Sequence, residues 1–90
     1  MYTLHIHKDA EKALKKSPQH IKEKSFECLQ VLMASGLKDF PYQVDTLKGK
    51  YKKFKYMEIK ISGDYRLIFR QEENQFFIRY AGTHNSLGTG

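Results

Sequence analysis

Residues able to move a proton and hold a phosphate gather in the second half of the sequence: Glu58, Lys60, Arg66 and His84. A carboxylate and an imidazole can exchange protons near neutral pH, and a lysine and an arginine can stabilise charge that develops on a phosphoryl oxygen. Each also has a plainer reading. Glu58 and Arg66 could be a cross-strand surface ion pair, worth well under ~1 kcal/mol. His84 could be a loop histidine that caps nearby backbone.

Charge sharpens the choice of partner. The 90 residues carry a formal charge of +6, with a pI near 9.5. Lys48, Lys50, Lys52, Lys53, Lys55 and Lys60 fall within thirteen residues, against one acid, Glu58. A cluster of that density favours polyanions through counterion release and steering, and nucleic acid is the first to consider. A solvated face with surplus lysine is the bland alternative.

Other chemistries are disfavoured. No two of the four histidines have helical metal spacing, and the lone cysteine, Cys28, falls in an apolar helix stripe. Neither a metal site nor a nucleophilic cysteine is expected. Gly82-Thr83-His84 is not a phosphate-cradling loop, so no cofactor is implied. A single cysteine rules out an internal disulfide and suits the reducing cytoplasm. No apolar run approaches 18 residues, and the N-terminus lacks the order of a secretory signal, so no membrane partner is expected.

These residues need elements to position them. Residues 1–90 suit one domain, with no room for a second core. Tyr2, Leu4 and Ile6 alternate with His5 and His7, which predicts a first strand. Asp9 is placed to cap a short helix over residues 10–16, and Ser17-Pro18 to start a second helix ending near Ser35 before Gly36. In that helix Ile21, Ser25, Cys28, Leu29, Leu32 and Met33 recur at helical spacing, and His20 lies on its surface. Residues 37–46 have no period and read as a crossing loop.

Three strands then follow, over residues 54–61, 65–71 and 76–82. Ser62-Gly63-Asp64 and the run 72–75 supply the turns between them. The predicted fold is α+β: an antiparallel sheet, made of the N-terminal strand and a three-strand meander, packed on a two-helix hairpin. Strand parity turns Met57, Ile59, Ile61, Tyr65, Leu67 and Phe69 toward the helices. Glu58, Lys60, Arg66, Arg70 and Arg79 then belong to the opposite face.

Three motifs in this order carry a resemblance. Leu47-Lys48-Gly49-Lys50-Tyr51 is similar to a leucine, x, glycine, x, aromatic lead-in to a sheet. Tyr65-Arg66-Leu67-Ile68-Phe69 is like a tyrosine-arginine-aliphatic strand, and Gly82-Thr83-His84-Asn85-Ser86-Leu87 resembles a terminal glycine, Thr/Ser, histidine, x, x, leucine. Together they resemble the RelE/ParE superfamily of bacterial toxins, and within it the YafQ-like branch of ribosome-dependent mRNA interferases.

The resemblance implies a toxin that enters the ribosomal A site and cuts mRNA without a metal, held in check by a cognate antitoxin. It gives His84 the acid–base role, Arg66 the stabilisation of phosphate charge, and Asp64 the place of an aspartate preceding the strand aromatic. Glu58 and Asp45 stand where the branch pattern has histidines, and Gly88 stands where it has an aromatic. Glu58 is left to act as base and Lys60 as a further cation, with Lys48, Lys50, Lys52, Lys53, Lys55, Arg70 and Arg79 as RNA contacts. The same superfamily includes gyrase-directed, ParE-like toxins and catalytically silent binding proteins, which are the alternative readings.

Overall fold

The structure, a computed structural model, describes residues 1–47 and 55–83. Its elements run β1 (Thr3–Ile6), α1 (Lys8–Lys16), α2 (Gln19–Ser35), β2 (Val44–Thr46), β3 (Met57–Ser62), β4 (Tyr65–Glu72) and β5 (Gln75–Thr83). The five strands form one sheet in the order β1-β5-β4-β3-β2. Both helices pack on one face, so the expected α+β class holds.

Parity worked where the period was clean. Ile59, Ile61, Leu67 and Phe69 are fully buried on the helix side, joined by Phe76 and Ile78 of β5. The helices contribute Ala10 and Leu14 from α1, and Ile21, Cys28, Leu29 and Leu32 from α2. Met33, expected in that stripe, is instead 39% exposed.

The sheet departs from expectation at both edges. Residues 37–46 are not all loop, because Val44–Thr46 pairs antiparallel with β3, Asp45 standing opposite Glu58. Lys60 also donates its backbone N–H to the Gln43 carbonyl at 3.0 Å, extending that edge. A three-residue polar strand has too few alternations to announce itself. At the other edge β1 runs parallel to β5, with Leu4 opposite Phe76 and His5 opposite Phe77. The sheet is therefore mixed, since α1 and α2 return the chain so that β5 lies alongside β1 in the same direction.

Two caps differ as well. His7, not Asp9, caps α1: the Asp9 backbone N–H donates to His7 Nδ1 at 3.1 Å. Ser17 closes α1 rather than opening α2, its hydroxyl donating to the Leu14 carbonyl at 2.6 Å. Pro18 is then the α2 cap and makes no side-chain cap bond; its carbonyl accepts from Ile21 and Lys22. Gly36 ends α2 as expected, with φ +65°, and the ring of Tyr2 would lie only 2.6 Å from any Cβ there. Only glycine meets both demands.

Candidate functional site

On the face away from the helices, the β3–β4 register sets Lys60 opposite Arg66 and Glu58 opposite Ile68. The hairpin closes at Ser62–Tyr65, with Gly63 at φ +55°, and the register shifts between Lys60 and Ser62. Glu58 and Arg66 are thus diagonal neighbours, as the sequence predicted. Their ion pair measures 3.7 Å from Arg66 Nε to Glu58 Oε1.

That pair is not a surface pair. The side chains of Arg66 and Glu58 retain only 10% and 12% of their exposure. Ile68 beside them on the same face is fully buried. Taking two charges out of water costs several kcal/mol per ion unless hydrogen bonds satisfy them. Here satisfaction is incomplete. Arg66 donates from one terminal nitrogen to the Gly63 carbonyl at 2.9 Å. Its Nε and Glu58 Oε2 make no hydrogen bond among the described residues, and 3.7 Å is too long for one between Nε and Oε1. The plain surface-pair reading of these residues therefore fails on burial.

The remaining predicted residues fall at several places. Lys60 lies directly across from Arg66, an exposed cation beside a buried one. Asp64 is exposed in the hairpin turn. With Lys16, His20, Tyr65 and Thr83 it lines a cleft of about 670 Å³ between the helix junction and the sheet end. Arg70 lies four residues beyond Arg66 on β4, bound to Glu72, whose hydrogen bond raises the arginine's pKa further. Lys55 is exposed ahead of β3. Lys48, Lys50, Lys52, Lys53, His84 and Gly88 lie outside the described residues.

Arg79 is not a simple open-face cation. The β4–β5 register shifts between Ile68 and Phe69, pairing Ile68 with Tyr80 but Phe69 with Ile78. Arg79 is the extra residue of that bulge. Its guanidinium lies 4.2 Å from the Tyr80 ring centroid and 3.6 Å from the Asp9 carboxylate of α1.

The bulge has a second effect that strand parity missed. Without it, Phe77 and Tyr80 would fall on opposite faces; with it, both stand on the face of Arg66 and Arg70. Two aromatics three residues apart, flanked by Ile78 and Ala81 that both need burial, were the available signal. His5 joins them from β1, stacked on Phe77 with centroids 4.7 Å apart and planes at 12°.

Cys28 is a free thiol fully buried in the core. Burial, with the Glu27 carboxylate adding, pushes its thiol up to about 12. The native state thus keeps a proton that the unfolded chain loses from about 9 upward. This contribution to stability is whole below pH 9 and is lost as pH rises toward 12. Comparing unfolding free energies of wild type and Cys28→Ala across that window should show a steeper alkaline fall in the wild type. Parallel curves would contradict the buried-thiol account.

No family model matches the chain, and no curated protein matches it in sequence. Solved structures do match. The RelB–RelE antitoxin–toxin complex of Methanococcus jannaschii contains a chain that superposes with a TM-score of 0.76 at 19% identity, over 93% of this chain and 94% of that one. YoeB of Staphylococcus aureus, solved as a dimer, gives 0.73 at 17% identity, covering 92% and 97%. A mutant of YafQ from E. coli gives 0.73 at 18% identity, covering 97% and 98%. The fold is the one shared by RelE, YoeB and YafQ toxins, and at such identities the likeness extends to the fold alone. No helix among the described residues is long and apolar enough to cross a membrane.

Proposed function

We propose that the chain is a ribosome-dependent mRNA endoribonuclease toxin of a type II toxin–antitoxin pair, acting in the cytoplasm and neutralised by a cognate antitoxin. The observation that carries this reading is the buried, incompletely satisfied Arg66–Glu58 pair on the helix-free face of a RelE-like sheet. Buried charges without full partners are costly, and they persist where a ligand or a reaction uses them.

The chemistry assigned to the site is metal-free transesterification. A base takes the proton of a ribose 2′-hydroxyl, and the resulting oxygen attacks the adjacent phosphorus. The P–O5′ bond breaks as an acid protonates the leaving oxygen, giving a 2′,3′-cyclic phosphate and a 5′-hydroxyl end. Glu58 and His84 are proposed for the proton transfers, His84 on its place in the sequence one residue past Thr83. Arg66, bonded to the Gly63 carbonyl, and Lys60, exposed across from it, stabilise the negative charge of the pentacoordinate phosphorane. Asp64 is proposed as a positioning residue at the turn. Lys48, Lys50, Lys52, Lys53, Lys55, Arg70 and Arg79 are proposed to hold ribosomal and messenger RNA. That RelE of M. jannaschii was crystallised with RelB, and YoeB of S. aureus with YefM, supports a protein antitoxin here.

One observation favours a second reading. Asp45 stands directly opposite Glu58, so two carboxylates share one row where an anionic phosphate must bind. A RelE-fold protein that binds its target without cutting, gyrase included, would tolerate that charge better. Expression of the wild type and of His84→Ala in cells, with mapping of mRNA 5′ ends, separates the two. Growth arrest with new, codon-phased ends is expected for the wild type. His84→Ala should lower the cleavage rate on the order of 10²–10⁴. Arrest without such ends would end the nuclease reading.

A further inference from the structure

Phe77 has both ring faces occupied. The His5 imidazole stacks on one, and the Arg70 guanidinium lies over the ring at 4.4 Å from its centroid. Because β5 lies between β1 and β4, the three groups make a column that crosses the sheet and ends at its edge. The last member, His5, is exposed on that edge strand. Its ring plane is fixed, since Nε2 is bonded to Gln75 Oε1 at 2.9 Å.

We propose that the outer face of His5 is a nucleobase-stacking subsite for single-stranded RNA. Resting on the nuclease reading, it adds a place where a base beyond the scissile phosphate is held. Three features favour a base over an aliphatic ligand. The exposed group is a planar ring already stacked on Phe77 and hydrogen-bonded to Gln75, so little freedom is lost when a second ring stacks on it. The column contains a cation, Arg70, on the same face as Arg66 and Lys60, which suits a phosphate-bearing chain. The spacing also fits a strand that reaches both places. Arg70 is about 13 Å along β4 from Arg66, and His5 two strands over, about 10 Å. A few nucleotides of extended chain cover that distance.

The plainer reading is that the column only shields Phe77 from water. The two readings part on the chemistry required at position 5. A shield needs bulk, whereas a stacking platform needs a flat ring. The probe is a set of short RNAs of mixed sequence, 2′-O-methylated throughout so that no hydroxyl can attack, each with one 2-aminopurine at a different position. The wild type is expected to quench the fluorophore at one position. His5→Ala and His5→Leu should abolish that quench and weaken binding by about tenfold to a hundredfold, while His5→Phe retains both.

Equal binding and quenching by His5→Leu and the wild type would overturn the subsite. So would RNA bound by the wild type with no quench at any position. The nuclease reading is judged separately, by the mRNA ends mapped in cells. If the wild type cuts mRNA and His5→Ala binds the probes unchanged, the subsite fails while the nuclease stands. If the wild type quenches as expected but cuts nothing, the reverse holds.

Discussion

Arg66→Ala should lose about 10²–10³ of the mRNA cleavage rate, the scale seen when one fixed donor to a developing oxyanion is removed. The same change should also destabilise the fold, because it leaves Glu58 as a buried charge without its partner. Breaking a buried pair from one side costs about 3–5 kcal/mol. The two effects must be separated, and the geometry provides the means. Glu58→Gln combined with Arg66→Met removes both charges and keeps the volume, so it should recover most of the stability and none of the activity. Arg66→Lys keeps a charge but loses the planar fork that reaches the Gly63 carbonyl at 2.9 Å. Most of the rate loss should persist in it. Thermal unfolding and single-turnover cleavage on programmed ribosomes read the two quantities independently. If the folded double variant cleaves within about tenfold of wild type, a barrier change of only about 1.4 kcal/mol, Arg66 is structural and the mechanism must be redrawn.

The residues behind this prediction were largely legible in the sequence, and the reason is local. The β3 and β4 stretches alternate cleanly on either side of one hairpin turn, and the register shift between Lys60 and Ser62 stays at that turn, so parity beyond it follows from period and turn chemistry. That is why Lys60 opposite Arg66, and Glu58 beside it, could be anticipated. The burial of the pair could not. Ile68 beside them is also fully buried, and strand period records which face a side chain takes but not how deeply it lies. β2 escaped notice because Val44–Thr46 offers one apolar residue and two polar ones. The parallel joining of β1 escaped notice because which strand becomes its neighbour is settled by the path of two helices, not by its own four residues. The bulge at Arg79 was the costliest omission. One extra residue moved Phe77 and Tyr80 onto the same face and drew Arg79 toward Asp9. Functional arguments from parity therefore hold where the irregularity stays at the turn, as between Lys60 and Ser62, and fail past a bulge in mid-strand.

The largest loss of stability from a single side chain should come from Phe76→Ala. Phe76 is fully buried and touches two aromatic neighbours, Tyr2 with ring centroids 5.4 Å apart and Phe69 at 6.0 Å. It is also the residue opposite Leu4, so it sits where β1 is fastened to β5. Truncating a buried phenylalanine removes its transfer free energy and leaves a cavity, together about 3–5 kcal/mol. A chain of this length has on the order of 5–13 kcal/mol in all, so the loss is about a quarter of the total or more. Each kcal/mol should lower the melting temperature by about 4–8 °C. Phe26 is the internal control: it lies on α2, is 56% exposed, and its change to alanine should stay within about 0.5 kcal/mol. The expected order also bears on function. If β1 loosens when Phe76 is lost, His5 can no longer be held flat against Phe77. The fluorophore quench assigned to His5 should then vanish in Phe76→Ala at temperatures where the rest of the sheet is still folded. Equal stability losses at Phe76 and Phe26 would mean that β1 is not anchored through this contact, and the column would lose its support.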